Sequence, residues 1–312
     1  TANDAVTTGA DFAAIVGNNA VTNGIVTTNG ALKWNVGKDL TTNAAVLSHG
    51  RATIDAQNVN FNADFASDKN LTITAKNNIF TKEGTNLYTK SDGRLKAHTA
   101  NLGGDIRADG TLTIETDDRL AAQNITAGNA TLKAGAELSA KSVNVGGNAD
   151  ITAGTNLTAN DVSVGGDLNA KAQNITATSV TGKGNAVLTA DKDVTLAGGV
   201  SAKRNAQLTA GENMTLGGKT DVGETLTANV GRDFVTNGAV TTGKELIANV
   251  GNDLAINDLV SAGGSASLTV GRNVTLDGAL TTGGNFTANV AHDLTANDAV
   301  TTGADFAAIV GN

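Results

Sequence analysis

Six charged residues between positions 105 and 118 form the densest set of side chains in the sequence that could perform acid–base chemistry. Carboxylates and guanidinium groups on one outward face would suit the binding and cleavage of an acidic polysaccharide. A polysaccharide-degrading enzyme is therefore one alternative interpretation of the chain. The six residues are Asp105, Arg107, Asp109, Glu115, Asp117 and Asp118.

Other catalytic signals are missing from the sequence. The three histidines are His49, His98 and His292, and there is no cysteine to pair with them. The Gly-rich segments do not lead from a strand into a helix, so they are not phosphate-binding loops, and no nucleophile elbow is present. We therefore predict that the chain is not an enzyme and that it has no catalytic, cofactor-binding or metal-binding residues.

A column of carboxylates and amides is the second candidate site. One interpretation is a cation-binding edge. The other is that each side chain caps its own turn by accepting backbone N–H groups, with Lys38, Arg232 and Arg272 relieving the charge. We favour turn capping, because the Gly-Gly-x-Gly-x-Asp calcium nonapeptide is absent. The column comprises Asp39, Asp233, Asp253, Asn273 and Asp293.

Asn-x-Thr sequons recur along the chain and are possible glycosylation sites. A chain rich in Asn and Thr at fixed repeat positions also produces sequons without selection for modification, and we favour that explanation. The sequons begin at Asn70, Asn124, Asn129, Asn156, Asn174, Asn213, Asn273 and Asn285.

Composition restricts the class of protein. Aromatic residues make up only 3% of the 312 residues, so Ala, Val and Leu must fill a narrow and regular core. The formal net charge of −8 argues against nucleic acid as a partner. No apolar run is long enough for a membrane helix, so membrane insertion is not expected.

An internal repeat dominates the C-terminal third. The segment 226–234 reappears at 246–254, 266–274 and 286–294, and Gly243, Gly263, Gly283 and Gly303 mark one corner. Three apolar columns follow from this spacing. They are Val230, Val250, Val270, Val290 and Val310; Phe234, Leu254, Val274 and Leu294; and Val240, Val260, Leu280 and Val300.

Within each repeat the apolar residues alternate with polar ones, which predicts half-buried strands. Asn-Gly, Asp-Gly and Gly-Gly pairs separate the strands, and such residues tolerate the positive φ of tight turns. The predicted fold is all-β, a right-handed parallel β-helix of about fifteen coils with three short strands each. Coils rising about 4.8 Å each would extend to about 70 Å. Shorter coils are expected near 128–181.

The repeats resemble the haemagglutinin repeats of large bacterial exoproteins of the filamentous haemagglutinin type. The segment 283–300, Gly-Gly-Asn-Phe-Thr-Ala-Asn-Val-Ala-His-Asp-Leu-Thr-Ala-Asn-Asp-Ala-Val, carries the resemblance. It implies two-partner secretion and a β-helical shaft, extracellular or on the bacterial surface, that serves adhesion or holds out a toxin. The partners it implies are other copies of the chain and a host glycan or protein.

The stretch 49–125 departs from the regular pattern. It holds nineteen charged side chains, and one repeat near 69–90 is two residues too long. Either these coils carry a contact surface for a partner, or they reflect sequence drift with their aromatic residues in the core. We favour drift, because solenoids tolerate loop variation. The aromatic residues are Phe61, Phe65, Phe80 and Tyr88.

The first eighteen residues, Thr1 to Asn18, are identical to the last eighteen, Thr295 to Asn312. We expect residues 1–312 to be one solenoid segment of a longer tandem-repeat rod, which continues into further coils or stacks end to end on another copy. Asp11, Phe12 and Val16 should then occupy the environments of Asp305, Phe306 and Val310.

Overall fold

Strands of the chain pair in parallel with equivalent strands about one coil away. The computed structural model describes residues 1–311, in which we find strands, bends and turns but no helix. The fold is a parallel β-solenoid of about fifteen turns, as the sequence predicts. The chain divides into two compact units, Thr1–Thr155 and Asn156–Asn312. The single-segment assignment stays a prediction, as does the right-handed wind.

Each coil has three faces, which we number in chain order. In the second unit, face 1 contains Leu226–Val230, face 2 contains Phe234–Thr236 and face 3 contains Val240–Thr242. The same faces in the first unit contain Leu32–Val36, Asp39–Thr42 and Val46–Ser48. Several longer strands run around a corner from one face to the next.

The first unit contains seventeen strands. They are β1 (Val6–Thr8), β2 (Phe12–Val16), β3 (Ala20–Thr22), β4 (Val26–Thr28), β5 (Leu32–Val36), β6 (Asp39–Thr42), β7 (Val46–Ser48), β8 (Ala52–Phe61), β9 (Phe65–Ser67), β10 (Leu71–Thr81), β11 (Leu87–Thr89), β12 (Gly93–Ala97), β13 (Thr99–Leu102), β14 (Ile106–Thr116), β15 (Leu120–Ala134), β16 (Leu138–Val145) and β17 (Ala149–Ala153).

The second unit contains twenty-two strands within its described residues. They are β18 (Asn156–Val164), β19 (Leu168–Ala172), β20 (Asn174–Gly182), β21 (Ala186–Ala190), β22 (Val194–Leu196), β23 (Val200–Ala202), β24 (Ala206–Ala210), β25 (Met214–Leu216), β26 (Thr220–Val222), β27 (Leu226–Val230), β28 (Phe234–Thr236), β29 (Val240–Thr242), β30 (Leu246–Val250), β31 (Leu254–Ile256), β32 (Val260–Ala262), β33 (Ala266–Val270), β34 (Val274–Leu276), β35 (Leu280–Thr282), β36 (Phe286–Val290), β37 (Leu294–Ala296), β38 (Val300–Thr302) and β39 (Phe306–Val310).

The strand register confirms the three predicted columns. Val230 pairs with Val250, Phe234 with Leu254 and Val240 with Val260, each one repeat further along the chain. Burial alternates along the strands as predicted: in β30, Leu246, Ala248 and Val250 are buried while Asn249 is exposed. The apolar face of each strand therefore lies in a dry interior, and the polar face lies outside.

Coil length varies along the chain, and the short coils begin earlier than predicted. Asn156 pairs with Asn174 within the predicted range 128–181, so that coil is two residues shorter than the regular repeat. Leu112 pairs with Ala130, so an equally short coil precedes the range. Leu71 pairs with Gly93, so the coil that starts at Leu71 is two residues longer than the regular repeat. The number of residues at the corners varies, while the strands on the faces stay paired in register. Both kinds of coil therefore fit into the same stack.

The role predicted for the corner glycines is wrong at most positions. Only Gly84 and Gly199 have positive φ among the described residues. At many of the other corners consecutive coils approach closely: a Cβ added to Gly251 would lie under 3.0 Å from the carbonyl oxygen of Gly231. The stacking of coils, rather than a left-handed turn, therefore disfavours a side chain there, although Ala291 holds the same position in a later coil.

Hydroxyl groups close the inner side of one corner in the first unit. Ser67 is fully buried, and its Oγ donates to the carbonyl oxygens of Gly50 and Lys69, each at 2.9 Å. Thr28 lies at the same position two coils earlier and donates to the carbonyl oxygen of Ala10. Thr89 lies one coil later and donates to that of Lys69. These bonds give the corner carbonyl groups a buried hydrogen-bond partner on the inner side of the solenoid.

None of the described secondary structure is a helix long and apolar enough to cross a membrane.

Candidate functional site

The structure separates the six residues on which the alternative enzyme interpretation rests. Asp105, Arg107 and Asp109 lie along or beside the face 3 part of β14, whereas Glu115 lies on its face 1 part. Asp117 and Asp118 follow at the corner before β15. The six side chains therefore do not share one outward face, and the arrangement that the sequence suggested for polysaccharide cleavage is not formed.

Each of four members of the set already has a partner. Asp105 accepts a hydrogen bond from Asn124 Nδ2 at 2.7 Å, and Glu115 forms an ion pair with Arg94 at 2.7 Å. Arg107 Nε donates to Asp109 Oδ1 at 2.9 Å. A shallow depression of about 290 Å³ beside Arg94 is lined by none of the six.

Tyr88 joins Arg107 and Asp109 in a cluster on face 3. Tyr88 Oη donates to Asp109 Oδ2 at 2.9 Å, and the Arg107 guanidinium lies 5.4 Å from the centre of the tyrosine ring. The hydrogen bond to Asp109 raises the pKa of Tyr88. The Tyr88 hydroxyl and then Arg107 lower the pKa of Asp109. These mutual bonds hold Asp109 as a carboxylate rather than as a proton donor.

A second polar cluster follows face 3 into the next corner. Asp68 Oδ2 lies 2.7 Å from His49 Nδ1, and Asp68 Oδ1 lies 2.7 Å from Lys90 Nζ. The Lys90 ammonium, and then His49, lower the pKa of Asp68. The three residues come from three consecutive coils, so the cluster joins those coils through their side chains.

Replacing Lys90 with alanine should raise the pKa of Asp68 toward its ordinary value of 3.8, because the hydrogen bond from Lys90 is the largest cause of the lowered pKa. A depressed folded-state pKa stabilises the fold above the unfolded pKa, and that stabilisation is lost as the pH falls through the folded pKa. Carbon NMR titration of the Asp68 carboxyl measures the change. His49→Ala should give a smaller rise, and an unchanged pKa in Lys90→Ala contradicts the assignment.

The predicted column of Asp and Asn side chains does form a ladder, but its bonds differ from those predicted. Asp253 Oδ1 accepts the backbone N–H of Asn273 at 3.1 Å and the Asn273 Nδ2 group at 2.9 Å. Asp233 accepts the backbone N–H of Asp253 at 3.3 Å, and Asn273 accepts that of Asp293 at 3.3 Å. The side chains therefore cap the following coil and not their own turn.

The first unit contains the same kind of ladder. Asp39 N donates to Asn19 Oδ1 at 3.3 Å, and Asp39 Oδ1 accepts from Asn58 Nδ2 at 2.7 Å. A second corner has a ladder of amides in which Asn43 and Asn62 donate to Asn23 and Asn43. The outward polar groups of these corners thus form hydrogen bonds between consecutive coils.

Of the basic residues expected to relieve the charge of the column, Arg272 pairs with one of its carboxylates and Arg232 pairs with a carboxylate outside it. Arg272 Nη1 lies 3.5 Å from Asp253 Oδ2, whereas Arg232 Nη1 lies 3.8 Å from Glu212. Within residues 1–311, no three His, Cys, Asp or Glu side chains converge to hold a metal ion. The geometry of the column therefore favours hydrogen bonding between coils over the cation-binding edge.

Asp253→Ala should lower the free energy of unfolding of the second unit by about 1–3 kcal/mol, because two bonds to a charged acceptor are lost. Asp253→Asn should recover most of that loss, since an amide oxygen can accept the same two bonds. Urea unfolding followed by circular dichroism measures both. If the alanine and asparagine variants are equally destabilised, the ladder bond is not the cause.

Several sequons belong to these ladders. The Nδ2 groups of Asn174, Asn213 and Asn273 donate to Asn156, Asp193 and Asp253, at 2.9, 3.0 and 2.9 Å. Asn124 donates in the same way to Asp105. In these four sequons, the side-chain nitrogen that glycosylation would modify donates a hydrogen bond between coils. Glycosylation itself stays a prediction.

The aromatic residues of the irregular stretch divide between core and surface. Phe61 and Phe65 are fully buried, with ring centres 5.2 Å apart. Phe80 is 38% exposed, and Tyr88 points outward on face 3. Placement of these aromatic residues in the core is therefore correct for two of the four.

The alternation of inward and outward positions along a strand is the sequence signal that identifies Phe80 and Tyr88 as surface residues. Phe80 lies between the buried residues Ile79 and Thr81, and Tyr88 lies between the buried residues Leu87 and Thr89. In a half-buried strand such positions point outward. Applying the alternation to the irregular coils would have identified both surface aromatics.

A comparison of the chain with models of protein families, with curated proteins and with solved structures finds no match. The resemblance to filamentous haemagglutinin-type repeats therefore stays a prediction.

Proposed function

We propose that the chain is a structural shaft segment of a fibre or adhesin that is secreted or attached to the bacterial surface. The observation that carries this proposal is the use of outward polar side chains between coils. In an enzyme, outward groups would be arranged toward a substrate. Here Asn19, Asp39, Asp233, Asp253 and Asn273 accept hydrogen bonds from the following coil.

The backbone supports the same role. Strands β24, β27, β30, β33 and β36 pair in unbroken register on face 1 of the second unit. Within the second unit, successive coils are bonded on all three faces, so a pull along the stacking direction loads many hydrogen bonds at once. A repeated nearest-neighbour interface of this kind is how solenoids obtain their stability.

Association of the chain with further coils, in the same or another copy, is part of the proposal. The repeated terminal sequence accepts stacking on either side. In the first unit, Phe12 of β2 pairs with Leu32 of the following coil. In the second unit, Phe306 of β39 pairs with Phe286 of the preceding coil, and the rings lie 5.4 Å apart. The same eighteen-residue sequence can therefore pair with a following coil and with a preceding coil.

The two occurrences do not have equal burial. Phe12 and Val16 are partly buried, whereas Phe306 is 54% and Val310 46% exposed. Each pair of residues holds the same position in its coil, but the predicted equality of environment is wrong for the burial of Phe12 and Val16. Asp11 Oδ1 accepts the backbone N–H of Ala31 at 2.7 Å, and Asp305 donates its own backbone N–H to Asn285 at 3.1 Å.

Optical-tweezers measurements on the intact chain, held by handles at both termini, test the structural role. We expect a stiff tether that lengthens in discrete steps. A coil of about 20 residues releases about 65 Å of chain at 3.3–3.6 Å per residue, so steps should be near multiples of that value. Smooth extension at low force, without steps, contradicts the shaft proposal.

A further inference from the structure

Phe80 is an exposed aromatic ring in the middle of face 2, on the long coil that starts at Leu71. It is 38% exposed, whereas Phe61, Phe65 and Phe286 are buried. Its neighbours on β10, Ile79 and Thr81, point into the core, so the ring must point outward. A single exposed apolar side chain is common in proteins. The surroundings of the ring make this one different.

Two carboxamides flank the ring on adjacent strands. Phe80 pairs with Asn60 of β8 on one side and with Asn101 of β13 on the other. Asn60 is partly buried, Asn101 is exposed, and neither amide has a hydrogen-bond partner within residues 1–311. Two strand spacings, about 10 Å, separate the two asparagines, so they cannot bond to each other.

Other asparagine side chains in the first unit, unlike Asn60 and Asn101, form hydrogen bonds between coils. Asn62 Nδ2 donates to Asn43 Oδ1 at 2.8 Å across one strand spacing. Phe80 separates Asn60 from Asn101 in its column, which leaves an amide on either side with free donors and acceptors. A carboxamide offers two N–H donors and a carbonyl acceptor, a combination that can bond neighbouring hydroxyl groups.

Extra residues lie at both ends of the strand segment that carries Phe80. The register between β10 and β8 shifts between Ala75 and Asn78, which places Lys76 and Asn77 in an added bulge. At the other end, residues 82–86 form a turn in which Thr85 N donates to Lys82 O at 2.9 Å and Gly84 has a φ of 75°. The long coil therefore widens on both sides of the ring.

Each widened corner contributes a free ammonium group. Lys76 and Lys82 are exposed, and neither belongs to an ion pair of the described chain. Glu83 is the one carboxylate in the two added turns. The chain has a net charge of −8, so this pair of lysines around an apolar centre is a local reversal of sign.

We propose that this surface, comprising Phe80, Asn60, Asn101, Lys76 and Lys82, binds an acidic oligosaccharide. The apolar C–H face of one sugar ring would pack on the Phe80 ring. Hydroxyl groups of that ring would bond Asn60 and Asn101, and a carboxylate or sulfate of a neighbouring sugar would lie at Lys76 or Lys82. The aromatic ring supplies an apolar contact surface, and the two amides supply the donors and acceptors that sugar hydroxyl groups require.

The binding surface is independent of the structural role. A shaft without this site would still lengthen in steps under force, and a chain that binds the sugar need not be stiff. The force measurement and the binding measurement can therefore fail separately.

Isothermal titration calorimetry of the intact chain with a hexamer of galacturonic acid tests the proposal, with a neutral hexamer of galactose as the comparison. We expect saturable binding of the acidic hexamer and at least about tenfold weaker binding of the neutral one. Phe80→Ala should weaken binding of the acidic hexamer at least about tenfold, and so should Asn60→Ala combined with Asn101→Ala. Lys76→Ala combined with Lys82→Ala should remove the preference for the acidic sugar.

Matched variants separate the site from general surface effects. Leu259→Ala removes another exposed apolar side chain, 43% exposed, and Asn249→Ala removes an outward amide of face 1 in the second unit. Both should bind the hexamer like the unaltered chain. Unchanged melting temperatures would show that the Phe80 variant is folded. Wild-type affinity in Phe80→Ala, or no binding by the unaltered chain up to about 10 mM sugar, overturns the proposal.

Discussion

Gly251→Ala is expected to destabilise the second unit by about 1–3 kcal/mol, which is a large effect for the addition of one methyl group. The new Cβ would lie under 3.0 Å from the carbonyl oxygen of Gly231, and that atom belongs to the backbone of the preceding coil. Gly231 lies at the corner after β27, so its carbonyl group must shift to admit the methyl group. Ala291 holds the same position in a later coil, which shows that such a shift is possible. Forcing a methyl group into closely packed structure costs about 1–3 kcal/mol or more.

Gly146 provides a control, because its preceding coil belongs to the same unit. A Cβ at Gly146 would meet its nearest atom, the carbonyl oxygen of Gly128, at 3.8 Å, which is an ordinary contact. Neither glycine has positive φ, so alanine strains the backbone conformation at neither position. Gly146→Ala should therefore change the free energy of unfolding by less than about 0.5 kcal/mol.

Urea unfolding of both glycine variants gives the comparison. Equal effects in Gly146→Ala and Gly251→Ala would show that the conformational preference of glycine, and not the distance between coils, determines the corner residue.

Val250→Asp should destabilise the second unit by at least about 3 kcal/mol, the second large effect. Val250 is 5% exposed, and its register partners are Val230 and Val270. A carboxylate at this position would be surrounded by apolar side chains without a partner, and an uncompensated buried charge costs about 3–5 kcal/mol. Thermal unfolding monitored by circular dichroism measures the loss.

The adjacent residue gives the control for the valine variant. Asn249 is exposed, and its Nδ2 group donates to Asn229 Oδ1 at 2.9 Å. Asn249→Asp introduces the same charge one residue away and loses at most that one bond, so the cost should be about 1 kcal/mol or less. If the two aspartate variants are equally stable, the alternation of burial along β30 is wrong.

The fold could be predicted from the sequence because the repeat imposes it. The constant spacing of Val230, Val250 and Val270 sets the register, and the period of two within each strand sets which residues are buried. Even the irregular coil lengths could be read, since the long repeat near 69–90 is the coil in which Leu71 pairs with Gly93.

The bonds at the corners could not be predicted in the same way. The sequence identifies Asp253 as a corner residue, but a carboxylate can reach a backbone N–H of its own turn or of the next coil. Only the distance between coils decides between them, and the structure selects Asn273 of the next coil. The same distance explains Gly251, which local φ preferences misjudge.

The candidate sites were the least predictable features. Asp105 to Asp118 are close in sequence, but β14 turns a corner between Ala108 and Thr111, so their side chains separate. Phe80, Asn60 and Asn101 are separated in sequence by about one coil, and register alone brings them together. A composition-based search favours the first set and misses the second.

Electron paramagnetic resonance distances along one outward column test the central claim, which is that coils stack in parallel register. Thr181, Ser201, Asp221, Thr241, Ser261, Thr281 and Thr301 form such a column on face 3 of the second unit. Spin labels at Thr181 and Ser261 should lie about 19 Å apart, and labels at Thr181 and Thr301 about 29 Å apart, since each coil adds about 4.8 Å. Distances that fail to grow by this increment, or that are broadly distributed, would contradict the stacked solenoid.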